Sequence, residues 1–169
     1  MSDKLILDAT CGSRSIWFNK NHPATIYCDA YPREVAKRWK SSALCGESTR
    51  VVTVYPDVLC DFTGLPFNDE SFYLVIFDPP HLVDVPESSW MRAKYGSLAR
   101  DWQPVIRRGV EECLRVLKPN GVLIFKWSDV QISTPDVIKA IGRQPLFGHK
   151  SGKRSNTHWM VFMKGLDND

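Results

Sequence analysis

The stretch FYLVIFDPPH, residues 72–81, decides the fold. Its first six residues form a continuous apolar run, which is typical of a strand covered on both faces in a parallel sheet. Asp78 ends this run, and each of the two prolines that follow fixes its own φ and removes a backbone donor. A residue that precedes a proline is also pushed into an extended conformation. The stretch therefore predicts a stiff, acceptor-only edge at the carboxyl end of a buried strand.

Other apolar, β-rich runs alternate with helix-length segments along the chain. We predict strands at residues 5–10, 24–28, 50–55, 72–77 and 121–127, and helices at residues 33–42, 104–117 and 135–142. Two more strands, residues 146–149 and 158–163, are predicted to pair antiparallel around a basic loop at residues 150–157. This alternation predicts an α/β, Rossmann-like, doubly wound sheet of seven strands whose last strand is antiparallel.

The predicted helix at residues 104–117 is amphipathic. Its apolar side chains recur at helical spacing, and polar side chains fill the other face, which we expect to be solvent-exposed. This polar face comprises Arg107, Arg108, Glu111, Glu112 and Arg115.

Composition limits the class of protein. The 169 residues, 43% of them hydrophobic and 24% charged, are predicted to form a single globular domain, residues 1–169. No apolar run approaches the ~20 residues of a membrane span, and the N-terminus has no signal-peptide core. The five cysteines form no close pair, which indicates reduced thiols and no zinc site. We therefore expect a cytoplasmic protein that binds neither a metal ion nor a membrane.

The basic residues lie mainly in two places. The net charge of +3 permits nucleic-acid binding without requiring it. Residues 82–103 lack helical or strand periodicity and combine basic side chains with Trp90, Tyr95 and Trp102. Such long segments are typical of lids and binding loops, and a buried cover for the sheet is the alternative. The second basic segment is the loop at residues 150–154. Its charge either contributes to nucleic-acid binding or is solvated surface charge.

Two aspartates mark the ends of the first two predicted strands. The first strand runs into Asp8 and a turn of small residues, 9–12, in which only Gly12 is a glycine. The three-glycine dinucleotide fingerprint is absent, which argues against nicotinamide and flavin dinucleotides. Asp29 ends the second strand, where a doubly wound fold places a carboxylate that accepts hydrogen bonds from a ribose. Aspartates at strand ends are also common turn-formers.

Two later stretches resemble segments of class I S-adenosylmethionine-dependent methyltransferases. These are DFTGLPFNDESF, residues 61–72, and LRVLKPNGVLI, residues 114–124. The tetrapeptide at residues 78–81 is similar to the motif of the methyltransferases that act on exocyclic amino groups of nucleobases. That motif has Asp, Asn or Ser before Pro-Pro and an aromatic residue, and here His81 takes the aromatic position. The matches run in the family's order from residue 5 to about residue 127.

The resemblance implies S-adenosylmethionine as the cofactor and a role for each match. Asp8 and residues 9–12 would hold its methionine part, Asp29 the ribose hydroxyls, and Asp61 with Phe62 the adenine. The implied cofactor-binding residues are Asp8, Ala9, Thr10, Cys11, Gly12, Asp29, Asp61, Phe62 and Asp78; the implied catalytic residues are Asp78, Pro79, Pro80 and His81. Arg14 is either a partner of the cofactor carboxylate or a surface residue on a first helix. Lys126 and Trp127 are expected to border the same pocket.

The chemistry of an exocyclic nitrogen explains this catalytic set. Its lone pair is delocalised into the ring, and it becomes available when both N–H groups donate hydrogen bonds, one to the Asp78 carboxylate and one to the Pro79 carbonyl. These bonds also disperse the positive charge that develops in the transition state. His81 has three interpretations: a flat surface for the target base, a general base with a pKa near neutral, or a structural hydrogen-bonding residue.

The length of the chain restricts the acceptor. It leaves no room for a separate target-recognition region, and a base in a duplex must be flipped out before it reacts. We therefore predict a nucleobase in DNA or RNA as the acceptor, with little sequence reading or with a protein partner that supplies it. The alternatives are a small-molecule methyltransferase and a cofactor-binding regulatory module without catalysis.

Overall fold

The computed structural model describes residues 4–40, 47–152 and 155–166. Within these ranges no helix has both the length and the apolar character needed to cross a membrane. The elements follow one another as β1 (Ile6–Asp8), β2 (Thr25–Asp29), β3 (Arg33–Lys40), β4 (Glu47–Val54), β5 (Val58–Leu59), β6 (Phe72–Phe77), α1 (Trp90–Tyr95), α2 (Trp102–Val116), β7 (Leu117–Ser128), α3 (Thr134–Ile141), β8 (Phe147–Lys150) and β9 (Thr157–Met163).

Seven of these strands form one mixed sheet in the order β5-β2-β1-β6-β7-β9-β8. The neighbours from β5 to β7 are parallel, whereas β9 is antiparallel to both β7 and β8. The last strand of the chain is thus inserted in reverse between its two neighbours. This confirms the predicted fold class, a Rossmann-like α/β sheet of seven strands with an antiparallel last strand.

The core lies where α2 packs against the central strands β6 and β7. Phe77 on β6 and Phe125 on β7 are fully buried, with ring centroids 5.6 Å apart. Gly109 lets α2 approach this layer closely, because a Cβ atom there would lie 2.7 Å from the rings of both Phe62 and Phe77. The buried stretch at residues 72–77 therefore forms the central strand that its apolar run predicts, and Asp78 follows at its carboxyl end.

The helix predicted at residues 33–42 is wrong. Residues 33–40 form β3, which pairs antiparallel with β4 in a separate two-stranded sheet, and residues 41–42 lie outside the described residues. The strand predicted at residues 50–55 belongs to this hairpin, and β5 is the edge strand of the main sheet. Val52 and Val54 are buried, while Val51 before them and Thr53 between them are exposed. This period of two is typical of a strand with one covered face, and it identifies β4 as part of a hairpin.

The first helix that the sequence interpretation assumed is also absent. Residues 9–24, between β1 and β2, form turns without a helix. Arg14 has a φ of 53°, and its guanidinium lies 3.8 Å from the centroid of the Tyr27 ring. It also donates hydrogen bonds to the Tyr55 carbonyl at 2.9 Å and to the Asp57 carboxylate at 3.1 Å. Arg14 thus fastens the turn segment to the rest of the domain, which takes the place of helical packing.

One residue of the predicted polar face of α2 is buried. Glu112 has an exposed fraction of only 4%. Its carboxylate accepts hydrogen bonds from the Leu65 amide at 2.9 Å and from Nε and Nη2 of Arg115 at 2.9 and 2.8 Å. Arg115 in turn donates to the carbonyls of Leu65 and Phe67, at 2.9 and 2.8 Å. Glu112 and Arg115 therefore fasten the Leu-Pro-Phe turn, residues 65–67, to the helix.

Candidate active site

A cavity of about 880 Å³ lies at the carboxyl ends of the parallel strands, the edge at which doubly wound folds hold their ligands. Segments that follow β1, β2, β5 and β6 line one side of it, and residues of the segment 82–103 line another. The sequence-predicted site residues that line it are Ala9, Thr10, Cys11, Gly12, Asp29, Asp61, Phe62, Asp78, Pro79, Pro80 and His81. The structure thus brings these residues together around one space, while their roles stay predictions.

Asp8, the remaining predicted site residue, does not line the cavity. Its carboxylate is 1% exposed and accepts hydrogen bonds from the Trp17 indole at 2.7 Å and from the Thr10 amide at 3.3 Å. Burial raises the pKa of Asp8 to about 7, against the lowering effect of these two bonds. The contacts of Asp8 hold Trp17 and the start of the turn, and direct contact with a cofactor stays a prediction.

The turn at residues 9–12 connects the ends of three strands. The Thr10 hydroxyl accepts a hydrogen bond from the Asp78 amide at 2.8 Å, and the Gly12 amide donates to the Asp29 carboxylate at 3.0 Å. The Thr10 side chain therefore fixes the backbone at the start of the Pro-Pro motif. Burial raises the pKa of Cys11 to about 12, so its thiol stays protonated and is no nucleophile at neutral pH.

Asp29 and Arg33 connect the side of the cavity at the end of β2 with the segment 82–103. Nη1 of Arg33 donates to the Asp29 carboxylate at 2.9 Å. The same guanidinium donates to the carbonyls of Ala93 and Lys94, at 3.1 and 3.4 Å, in the last turn of α1. Arg33 was missed by sequence reasoning because it fell at the start of the wrongly predicted helix.

Asp61 and Phe62 lie beyond the end of β5. One carboxylate oxygen of Asp61 accepts hydrogen bonds from the amide and the hydroxyl of Thr63, both at 2.8 Å. The Phe62 ring packs edge-on against Phe77 with centroids 5.1 Å apart. One oxygen of Asp61 is thus used to hold the local turn, and the described residues place no hydrogen-bond donor on the other.

The Asp78 carboxylate forms an ion pair with the ammonium group of Lys126 on β7. The Asp78 side chain keeps an exposed fraction of 27%, on the side of the cavity. Burial raises the pKa of Asp78, while the charge and the hydrogen bond of Lys126, and then the charge of His81, act in the opposite direction. Lys126 borders the cavity as expected from the sequence, whereas Trp127 beside it is buried in the core.

His81 lies between two aromatic side chains. Its ring centroid is 5.6 Å from that of Tyr95 and 6.5 Å from that of Trp127. Burial, the largest effect, lowers the pKa of His81, which favours the neutral imidazole at neutral pH. A neutral imidazole combines a flat face with a free ring nitrogen, so both the stacking and the general-base interpretations stay open.

The segment 82–103 packs against the Pro-Pro motif. Gly96, which ends α1 with a φ of 78°, would bring a Cβ atom within 3.0 Å of Cγ of Pro80. Tyr95 lines the cavity and is 38% exposed, whereas Trp102 is buried in the core. The segment therefore both covers the sheet and borders the cavity. Of the second basic segment, residues 153–154 lie outside the described residues.

No protein-family model and no curated protein matches the chain. Among solved structures, the PH0226 protein from Pyrococcus horikoshii OT3 is similar with a TM-score of 0.57 and 14% identity, over 96% of this chain and 82% of that chain. The putative methylase HI0767 from Haemophilus influenzae gives a TM-score of 0.46 and 13% identity, over 96% and 87%. The [4+2]-cyclase SpnF gives a TM-score of 0.37 and 18% identity, over 58% of this chain and 35% of that chain. The likeness to PH0226 shows that the fold extends over nearly the whole chain.

Proposed function

We propose that the protein transfers a methyl group from S-adenosylmethionine to an exocyclic amino group of a nucleobase in DNA or RNA. The observation that carries this proposal is the position of Asp78 and Pro79 at the end of β6, on a cavity that also includes Asp29 and Asp61. Hydrogen-bond acceptors for an amino group and carboxylates suited to a nucleoside thus line the same cavity. Its volume of about 880 Å³ lies within the usual range for ligand sites.

The side chains present fit the proposed cofactor. Asp29 ends β2, where a carboxylate accepts hydrogen bonds from ribose hydroxyls. A carboxylate has about four acceptor positions, so the bonds from Gly12, Arg33 and the Tyr31 amide leave capacity for one hydroxyl. Asp61 keeps one oxygen for the adenine amino group, and Phe62 offers an apolar surface beside it. Asp78 and residues 9–12 border the position proposed for the methionine part. S-Adenosylmethionine supplies, when bound, an electrophilic methyl carbon that leaves sulfur as the new bond to nitrogen forms.

The protein's own contribution at the reacting end is to orient and polarise the amine. The Asp78 carboxylate and the Pro79 carbonyl accept hydrogen bonds from its two N–H groups, which makes the nitrogen lone pair available. Once the bond to the methyl carbon has formed, the nitrogen is acidic and releases one proton to solvent. No donor among the described residues bonds to the Pro79 carbonyl, so that oxygen keeps its capacity to accept a hydrogen bond from the amine. Thr10 holds the Asp78 backbone in place, and this pre-organisation avoids reorganisation during the reaction.

Residues 82–103 suit an unpaired base better than a duplex. Tyr95 and His81 present rings at the cavity, and every base has a face that stacks on such rings. Lys94 and Arg92 line the same side and provide positive charge for a phosphate backbone. These features support a single-stranded or flipped-out base as the acceptor.

Substitution of Asp78 by alanine tests the proposal. We expect Asp78→Ala to lower methyl transfer by about 10²- to 10³-fold, because the amine loses its charged acceptor. Binding of S-adenosylmethionine, measured by calorimetry, should change little. Transfer of a radiolabelled methyl group is measured on single-stranded DNA, duplex DNA, RNA and free nucleosides, and the modified nucleoside is then identified.

The control is Asp69→Ala, which removes an exposed carboxylate near the opposite end of β6 and should retain wild-type transfer. Full activity of Asp78→Ala would contradict the proposed role. Cofactor binding without transfer to any acceptor would favour a regulatory module. Transfer to free nucleosides alone would favour a small-molecule methyltransferase.

A further inference from the structure

The ion pair between Asp78 and Lys126 is a feature that amine binding by itself does not require. Lys126 follows Phe125 on β7, and Phe125 is the register partner of Phe77, which precedes Asp78 on β6. The two charged side chains therefore come from neighbouring strands, and both line the cavity. Their exposed fractions, 22% for Lys126 and 27% for Asp78, show that both reach its surface.

Neither group is saturated by the pair. The Lys126 ammonium donates to Oδ2 of Asp78, and the hydrogen bonds of the described residues leave Oδ1 without a donor. An ammonium has three N–H donors, and the other contact of Lys126 among those residues is with the face of the Trp159 ring, whose centroid lies 5.8 Å away and which takes up no conventional hydrogen bond. The pair thus presents a hydrogen-bond acceptor and a hydrogen-bond donor side by side at the cavity.

We propose that Lys126 determines specificity by donating a hydrogen bond to a ring nitrogen adjacent to the target amino group. Asp78 and Lys126 together then recognise an amino group and its neighbouring acceptor nitrogen as one unit. This inference rests on the proposed function and narrows its substrate class to adenine and cytosine. Adenine has N1 and N7 on either side of its amino group, and cytosine has N3.

Guanine fits this pair poorly, because its amino group has an N1–H donor on one side, and the N3 acceptor on its other side lies next to the sugar. On the Watson–Crick edge, the N1–H donor would face the Lys126 ammonium. Two donors would then oppose each other in a partly buried site and leave both without an acceptor. The ion pair also leaves Asp78 able to bind the amine although Lys126 bonds to Oδ2. Oδ1 accepts the hydrogen bond from the amine, while the remaining N–H groups of Lys126 donate to the base.

Deaza bases test this inference directly. Single-stranded oligodeoxynucleotides with one adenine, one 1-deazaadenine or one 7-deazaadenine differ only in the ring acceptor; the matching pair for cytosine is cytosine and 3-deazacytosine. We expect the wild-type protein to prefer the parent base over one of its deaza analogues by roughly 10- to 100-fold in kcat/KM. Lys126→Met should reduce this preference to the intrinsic reactivity difference between the two amines.

The matched control is Lys118→Met on the same strand. Lys118 lies at the opposite end of β7, with its ammonium 4.8 Å from the centroid of the Tyr73 ring, so the variant should keep the wild-type preference. Lys126→Gln retains an N–H donor without the charge and should keep part of the preference even where Lys126→Met is inactive.

Three outcomes would overturn the inference. The first is equal wild-type transfer to the parent base and all its analogues, and the second is an undiminished preference in Lys126→Met. The third is efficient transfer to guanine at a rate that Lys126→Met leaves unchanged. Failure of the proposed function is distinguishable from all three, because the wild-type protein would then methylate no base in any oligonucleotide.

Discussion

Three carboxylates lie near one another at the carboxyl edge of the sheet, and they differ in how their charge is balanced. Asp29 pairs with Arg33 and Asp78 pairs with Lys126. Asp8 is bonded to an indole and an amide, neither of which carries a charge. Burial without a cation explains why the pKa of Asp8 rises to about 7, and it gives Asp8 a distinct effect on stability.

Replacement of Asp8 by asparagine should change how stability depends on pH. Between pH 4 and 7 the unfolded chain has released the Asp8 proton while the folded protein retains it, since the pKa is raised from 3.8 to about 7. The free energy of unfolding therefore falls as pH rises through this range, by up to about 1.4 kcal/mol per pH unit from this group. Asp8→Asn should lack this contribution and keep an acceptor for the Trp17 indole.

Urea denaturation at pH 5, 6 and 7 measures the effect. The matched control is Asp69→Asn, whose carboxylate is largely exposed, and we expect it to retain the wild-type slope. Parallel slopes for the wild-type protein and Asp8→Asn would show that Asp8 is ionised throughout this range.

Among the elements, α2 does more than cover the sheet. Through Glu112 and Arg115 it also holds the Leu-Pro-Phe turn that follows Asp61 and Phe62. The side of the cavity that Asp61 and Phe62 line therefore depends on a helix whose own residues line mainly other surfaces. This arrangement makes Glu112 important for stability although it lies far from the proposed reaction.

Removal of the Glu112 carboxylate should destabilise the protein. Glu112→Ala leaves the Leu65 amide and the Arg115 guanidinium without their buried acceptor, and we expect a loss of about 3 kcal/mol in the free energy of unfolding. Glu111→Ala, one residue earlier on the exposed face, should change it by no more than about 0.5 kcal/mol. Chemical denaturation of both variants gives the comparison, and similar losses would contradict a special role for Glu112.

The sequence predicted those elements whose patterns are long and strong. The apolar run of β6, the amphipathic pattern of α2 and the two strands at the end of the chain identify themselves locally. Strand β3 does not, because a short segment with few apolar residues satisfies helical and strand spacing equally well. The strand predicted at residues 50–55 lies largely within β4, but its pairing with β3 in a separate hairpin could not be read from the sequence.

At the scale of the whole molecule, the candidate site was predictable to the extent that parallel strands end at one edge. Asp29 ends one such strand and Asp78 follows another, so their approach could be expected from topology, whereas Asp61 follows β5, a strand that the sequence did not predict. Arg33 lies only four residues after Asp29 but falls in the segment wrongly predicted as a helix. The pairing of Lys126 with Asp78 could not be assigned because it joins segments distant in sequence. The burial of Glu112 could not be predicted for the same reason, because the Leu65 amide that it bonds belongs to another part of the chain.

Arg33 provides a physical connection across the cavity and carries a prediction of its own. The Arg33 guanidinium bonds both the Asp29 carboxylate and the last turn of α1, so a ligand that restrained Asp29 would also restrain that turn. We expect S-adenosylhomocysteine to increase the affinity for a single-stranded oligonucleotide by about fivefold or more. Arg33→Met should bring this factor close to one. Arg100→Met, which removes an exposed arginine of the segment 82–103, should leave the factor unchanged.

Fluorescence anisotropy with and without S-adenosylhomocysteine measures this factor for the three proteins. An equal factor in Arg33→Met and the wild-type protein would exclude Arg33 as the connection.

The position of Arg33 also has a consequence for the catalytic cycle. Because coupling between two binding sites is reciprocal, a bound nucleic acid would retain the cofactor as strongly as the cofactor retains the nucleic acid. Departure of either product would then loosen the hold on the other. The Arg33 guanidinium is shared between one carboxylate and two carbonyls. It would in this way couple the binding and the release of the cofactor to those of the nucleic acid in a chain of 169 residues.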